Sequence, residues 1–373
     1  MTPCRVLVVL ALLVPAPTLA QMATVERIQG PGWWPTKPEG PRQDYAGPAE
    51  CAKCHPAHAA TQQKTSMART GDRAAESEIL RARRLLNFTT GRHTYTIERS
   101  GDRSMYSVSD GNRSISTPLA WAFGAGKVGQ SFLFERDGRL HESRVSYYDA
   151  IRALDFTPNR QLVDPAGLEE AAARPIGDAE ARRCFACHTT AWAATPPGVN
   201  FGGLISGVTC EACHGPGRRH VTAMRERPVK ARGNGMMRLR SLSAADSVDF
   251  CGACHSTFWD VKLADERGIA ALRSQPYRLQ SSRCWQEGDA QLTCVACHDP
   301  HVPLVRDAAS YDARCTACHS GAPPQHPERP ARTCRIATTG CVKCHMPKYE
   351  VPGMHFRFTD HLIRIARSGG NTP

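Results

Sequence analysis

The chain has 373 residues, a formal net charge of +12 and 17 cysteines, but only 41% apolar side chains against 30 glycines and 27 prolines. Such a length accommodates one large domain or two modest ones, and so low an apolar fraction excludes a fold held by side-chain burial alone. The basic charge comes without aromatic–basic interleaving or a binding motif, which excludes nucleic acid as the expected partner.

Residues 1–20 read as a cleavable export signal. Arg5 supplies the positive start, Val6 to Val14 is an apolar run too short to span a bilayer, Pro15 and Pro17 break it, and Thr18-Leu19-Ala20 offers small residues for cleavage. No later stretch approaches the length of a membrane helix. The mature protein is therefore expected in the periplasm, with no transmembrane segment. Residues 21–48 are Pro/Gly-rich and read as an irregular lead-in, where Trp33 and Trp34 either pack on a cofactor edge or anchor the surface.

A first motif then appears, and it recurs. Cys51-x-x-Cys54-His55 is followed by Cys184-x-x-Cys187-His188, Cys210-x-x-Cys213-His214, Cys251-x-x-Cys254-His255, Cys294-x-x-Cys297-His298, Cys315-x-x-Cys318-His319 and Cys341-x-x-Cys344-His345. Every Cys-x-x-Cys of the chain is followed by His, the signature of c-type haem attachment. Two thiols at this spacing reach the two vinyl groups of one porphyrin, and the next residue places an imidazole under the iron as proximal ligand. Zinc ribbons pair two such units into one tetrahedral site and need no trailing His, and seven units cannot pair evenly. A redox dithiol needs one motif, not seven. The expected cofactor is haem c, seven copies, covalently attached. Their apolar faces supply core that the side chains lack, and their propionates, at about −1 per ferric haem, offset most of the basic excess.

The first haem segment covers 49–70. Residues 71–177 carry no haem motif. Ala74 to Leu86, with the basic cluster Arg81 to Arg84, reads as a helix with a solvated or propionate-facing side. "HTYTIERSGDRSMYSVSDG" and "SFLFERDGRLHESRVSYY" then alternate as strands, the second around an Asp137-Gly138 hairpin turn. These predict one small β-rich module over about 87–157. Residues 178–361 hold six motifs whose first cysteines lie 21 to 43 residues apart. That leaves room for one helix or loop per haem and forces neighbouring haems close together. Residues 362–373 form a tail. The fold class expected is mainly irregular segments and short α-helices packed around covalently bound haems, with that one β module.

Of 15 histidines, eight are not proximal. His93 and His141 lie in the β module and read as ordinary strand residues. His58, His220, His301, His326, His355 and His361 lie near motifs and are candidate distal ligands, with Met67 as a sulfur candidate. His220 follows His214 too closely to curl over the same haem, so it more plausibly caps a neighbouring iron, and His301 after His298 follows the same logic.

At these residues the chain resembles a known family. "GVTCEACHGPGRRH" resembles a segment of the tetrahaem cytochrome that accepts electrons from hydroxylamine oxidoreductase. "CWQEGDAQLTCVACHDPH" and "CVKCHMPKYEVPGMHFRFTDHLI" are similar to exported bacterial multihaem cytochromes more broadly, as is "GAGKVGQSFLF" with "SRVSYY". The resemblance implies His220 and His301 as distal ligands and is specific for a multihaem cytochrome rather than for one reaction. Cys284 and Cys334 lie outside the motifs, and in an exported protein they pair as a disulfide or remain two thiols.

Two functions follow. Closely spaced six-coordinate haems carry electrons between redox partner proteins. Alternatively, one iron with an open position, beside Tyr147, Tyr148, His93 or His141, makes the protein a reductase or oxidase of a small nitrogen or sulfur compound. No Cys-x-x-Cys-Lys variant occurs.

Overall fold

The computed structural model describes residues 40–158, 160–161, 164–192, 201–226, 236–237, 239–286, 292–319, 334 and 336–366. The export signal, most of the lead-in with Trp33 and Trp34, His326 and the end of the tail lie outside the described residues.

The expectation of mainly helix with one small β module is overturned: the described residues form four sheets. A four-stranded antiparallel meander runs through β2 (Leu85–Thr90), β3 (His93–Ser100), β4 (Arg103–Ser109) and β5 (Ser114–Pro118). The second sheet has seven strands. Its main path is β1 (Gly71–Arg73), β6 (Trp121–Phe123), β7 (Gly129–Arg136), β8 (Arg139–Ser143) and β11 (Ala173–Pro175); β9 (Val145–Tyr148) also pairs with β7, and β10 (Ala153–Phe156) with β9. Two small ribbons, β12 (Thr189–Thr190) with β13 (Ile205–Ser206) and β14 (Lys348–Glu350) with β15 (Arg357–Thr359), lie among the haem motifs. The sheet thus reaches from 71 to 175, beyond the 87–157 expected. Strands of two or three residues such as "GDR" and "ARP" are too short to show alternation, and only pairing with a distant strand makes them extended.

The Asp137-Gly138 turn forms as expected. Both residues take positive φ, 51° and 70°, and join β7 to β8 with Arg136 opposite Arg139, the backbone that a two-residue hairpin turn of matching twist requires. The helix expected over Ala74–Leu86 is cut short. A 3-10 turn (Ala74–Glu76) leads to Ser77, whose hydroxyl accepts from the Leu80 amide and caps a helix of only Glu78–Ala82; Leu85 and Leu86 already belong to β2. Leu86 and Ile97 face each other across β2 and β3, and burying both outweighs one more helical turn.

Strand alternation builds two cores. On one face of the larger sheet, Ala122, Phe132, Phe134, Val145 and Tyr147 join Tyr95, Ile97, Tyr106 and Val108 of the meander. On the other face, Trp121, Phe123, Leu133 and Leu140 pack against Ile176, Ala181 and Phe185. Strand β7 is therefore covered on both faces, which explains why "FLF" is continuously apolar. The second core matters for function, because Phe185 sits inside the second haem motif. Its ring meets Trp121 edge-on at 4.9 Å and Phe123 at 5.2 Å.

Candidate haem-attachment sites

Each motif lies on a helical turn at or near a helix end. The spans are Pro48–Ala52, Asp178–His188, Cys210–His214, Ala244–His255, Cys294–Cys297, Asp312–His319 and Cys341–His345. On a helix, residues i and i+3 share a face and i+4 lies over i. The spacing therefore puts two thiols and an imidazole on one side of a single turn, as two thioethers and one iron bond require. At the first motif the helix stops at Ala52, but the His55 amide still bonds the Cys51 carbonyl at 2.9 Å, which keeps the turn closed. Among the described residues no group of three or more His, Cys, Asp or Glu is arranged to hold a free metal ion.

The ring nitrogens separate the histidines. A metal-bound imidazole uses one nitrogen for the metal and donates the other N–H to a carbonyl or carboxylate. In His188, His214 and His345 the Nδ1 atom faces the carbonyl oxygens of Thr70, Met237 and Arg364 at 3.0, 3.4 and 2.7 Å. His301 Nδ1 lies 3.1 Å from Asp299 Oδ1, and His361 Nδ1 lies 3.1 Å from the Thr359 carbonyl oxygen. All five are held through Nδ1, so that Nε2 is the nitrogen presented to an iron. Burial holds His188 and His361 down to about 4 and also lowers His214, His255 and His298, so these imidazoles are neutral at pH 7, the form that binds metal.

Two candidate distal histidines meet a proximal one. The rings of His214 and His301 are 6.1 Å apart with planes within 12°, and those of His298 and His361 are 6.2 Å apart at 47°. An imidazole nitrogen bonds a metal at about 2 Å, so rings on opposite faces of one iron have centroids about 6 Å apart. The residues therefore fit haem: paired thiols on one turn, Nδ1-anchored neutral imidazoles, and two imidazole pairs at the separation an iron bridges. His58 lies 4.9 Å from His301, closer than that separation. His220 is half-buried, with Nδ1 lacking a hydrogen-bond partner among the described residues, and no second imidazole is recorded against it there. Met67 is half-buried beside the third motif, its carbonyl accepting from the Val208 amide. His355 is engaged differently from the other candidates. Its Nε2 lies 2.7 Å from Asp155 Oδ2 in β10, and its ring sits edge-on to Tyr148 at 5.0 Å. His93 is buried in β3, and His141 lies on Phe134, both within the β module. Cys284 and Cys334 are exposed and outside any disulfide in this structure.

Neighbouring motifs touch in a definite order. The helix of the first motif packs against that of the third, the fourth's against the fifth's and the sixth's against the seventh's. In each pair one thiol acts on the ionisation of the other, Cys51 with Cys210, Cys251 with Cys294 and Cys315 with Cys341. Cys213 acts on the ionisation of Cys251, and Cys315 on that of Cys297, which links the three pairs end to end. The second motif's helix, Asp178–His188, packs against the fourth's, Ala244–His255. The order in space is thus first, third, fourth, fifth, sixth, seventh, with the second joined at the fourth.

Three carboxylates that sequence reasoning passed over hold this arrangement. Glu211, inside the third motif and 1% exposed, accepts from the Ala46, Gly47 and Gly217 amides at 2.7 to 2.8 Å, tying the first motif's approach to the third. Asp312 accepts from the Gly340 and Cys341 amides at 2.6 and 2.9 Å, capping the seventh motif from the helix of the sixth. Asp360, fully buried, is gripped by Arg278 at 2.5 and 2.8 Å and also by Arg364, which fixes the segment bearing His361. Gly207, at φ +71°, lies directly on the Ala68 carbonyl, where no side chain fits, and this close approach seats the first haem segment against the third motif.

Comparison with known proteins agrees with this chemistry. A family model described as cytochrome c554 and c-prime matches residues 143–215, which include the second and third motifs. The multiheme cytochrome MtrA of Shewanella baltica (strain OS185) is 25% identical over 146 residues, 38% of this chain. That match spans 36% of MtrA's own length. The crystal structure of the outer cell wall cytochrome OcwA superposes over 86% of this chain and 80% of its own, at 16% identity and a TM-score of 0.49, a likeness too loose to argue from. Over these stretches the chain is similar to multihaem c-type cytochromes. No helix among the described residues is long and apolar enough to cross a membrane.

Proposed function

We propose that this chain is a multihaem cytochrome that carries seven haems c in the periplasm and passes electrons along them between a donor and an acceptor protein. Haem, when bound, supplies a one-electron iron couple; the chain supplies ligands, spacing and surroundings. In this reading the fourteen motif cysteines form the thioethers, and His55, His188, His214, His255, His298, His319 and His345 bind iron from the proximal side. His301 serves the third motif's iron and His361 the fifth's. His355 is left out of this distal set because its ring lies against Tyr148 and Asp155 of the sheet rather than against a motif imidazole. His58, His220 and Met67 remain available to other irons.

The observation that carries this reading is the packing of motif helix on motif helix: the first on the third, the second on the fourth, the fourth on the fifth and the sixth on the seventh. Attachment turns packed in this way would hold their porphyrins close together, which electron passage needs and substrate chemistry does not. Electron paramagnetic resonance of the oxidised protein tests it: low-spin signals coupled between neighbouring irons are expected, whereas isolated uncoupled signals would contradict it. One observation favours the enzymatic alternative at the second motif. The aromatic ring recorded against His188 among the described residues is Phe123, at 5.1 Å, and not a second imidazole. A high-spin ferric signal that shifts on adding nitrite would support that reading.

A further inference from the structure

The region where the larger sheet meets the second and fourth motifs contains a recess of about 440 Å³, lined by Ser131, Glu142, Thr157, Pro158, Arg160, Arg174 and Arg273. It is not the pocket that Tyr147, Tyr148, His93 and His141 suggested; none of those four lines it. Three guanidinium groups line it beside one carboxylate. That carboxylate is already used: Glu142 Oε2 accepts from Arg174 Nε at 2.8 Å, and Arg174 also grips Glu180. Arg160 and Arg273 make no ion pair with a carboxylate among the described residues. The Nε of Arg160 is buried without a hydrogen bond there, and the Arg273 guanidinium meets only soft groups, the Met354 sulfur at 3.5 Å and the Phe358 ring at 5.7 Å.

Arg160 is half-buried and Arg273 exposed, so water serves them until an anion within reach of both gains charge-assisted hydrogen bonds. Burial, and repulsion from Arg144 and Arg174, lower the Arg160 pKa, and Glu142 and Glu170 offset part of this. The neighbouring hydroxyls form a chain, Ser131 to Ser146 to Thr157 at 2.8 Å each, that ends on the Ser143 carbonyl oxygen, so their protons are spent within the sheet and the guanidinium groups are the donors that face the recess. Arg273 ends the 3-10 turn Ala270–Arg273, which leads into the helix Gln275–Gln280; that helix packs on the fourth motif's helix, which in turn packs on the second's.

We propose that Arg160 and Arg273 form a binding site for a carboxylate or small inorganic oxyanion in the recess between the seven-stranded sheet and the second and fourth motifs. Planar forked guanidinium groups match both. The anion has two possible sources, a propionate of a haem at those motifs or a free oxyanion from solution. The site rests on the proposed haem attachment but not on electron flow between partners.

The test uses the holoprotein and the variants Arg160→Gln, Arg273→Gln and the pair, each checked for full haem content and native circular dichroism. Calorimetric titrations with sulfate, nitrate, nitrite and phosphate, each alone, are run beside a spectroelectrochemical titration in oxyanion-free buffer. A free-anion site gives saturable one-to-one binding of at least one probe, weakened at least tenfold in either variant, with unchanged potentials. A propionate site gives no heat with any probe, but lowers one haem's midpoint potential in the variants and alters its pH dependence. Potentials and heats all indistinguishable from those of the unaltered protein would overturn the site and leave the electron-carrier reading standing. Loss of haem coupling in the unaltered protein would overturn that reading instead.

Discussion

Replacing Glu211 by Ala should loosen the first haem segment from the rest of the protein. The Glu211 carboxylate is 1% exposed and accepts three backbone N–H bonds, from Ala46 and Gly47 before the first motif and from Gly217 after the third. Hydrogen bonds to a charged acceptor contribute roughly 1.5–3 kcal/mol each, and a buried donor left alone costs roughly 1–3 kcal/mol. Ala46 and Gly47 are half-buried, and water recovers part of their loss, so the three together give about 3–4 kcal/mol rather than the full sum. The effect should be local, because the segment's other ties offer those three amides no acceptor: the Arg218 bond to the Tyr45 carbonyl, the Gln62 side-chain bond to the Val208 carbonyl, the Val208 amide on the Met67 carbonyl, Thr70 on His188, the Arg225–Glu50 ion pair and the seat on Gly207. Native-state hydrogen exchange should show protection falling roughly 150- to 900-fold over 45–70, while strands β3, β4 and β7 keep theirs. Glu211→Gln should lie between, because its NH₂ group faces an amide that needs an acceptor. Unchanged exchange over 45–70 in the Ala variant would refute the claim that this carboxylate joins the first motif to the third.

Phe185→Ala removes a fully buried ring from between Trp121 and Phe123 and should cost about 3–5 kcal/mol in urea unfolding, with the second motif's haem becoming the most readily perturbed in its absorption spectrum. His361→Ala should convert one low-spin haem to a high-spin ferric species that binds imidazole from solution, read by electron paramagnetic resonance, whereas His355→Ala should leave the spin state unaltered. Burial raises the Glu142 pKa above 4.5 despite Arg174. The folded state then binds more protons than the unfolded one above pH 4.5, so stability falls as pH rises through the raised value, and Glu142→Gln should flatten that slope in unfolding titrations.

The turn that each motif forms was legible in the sequence because it is local: five residues on one helical turn carry two cysteines and a histidine. The β module was legible where strands are long enough to alternate, as in "HTYTIERS" and around Asp137-Gly138. It was not legible in β1, β11 and the ribbons among the motifs, where pairing with strands dozens of residues away makes two or three residues extended. The distal histidines show the same limit. His301 was expected to cap a neighbour's iron, and it lies beside His214; which neighbour depends on tertiary packing alone. His355 resembled His361 in the sequence, and only Asp155, 200 positions away, sets it apart. Glu211, Asp312 and Asp360 carry no signal in the sequence, because nothing near them in the chain reveals the amides and guanidinium groups that bury them.

The count of attached haems tests the account most directly. Intact-mass measurement of the purified exported protein, paired with an alkaline pyridine haemochrome assay on the same sample, should give a mass increment of seven haems and seven haem c per chain. A smaller increment, or a chain that carries none, would contradict it.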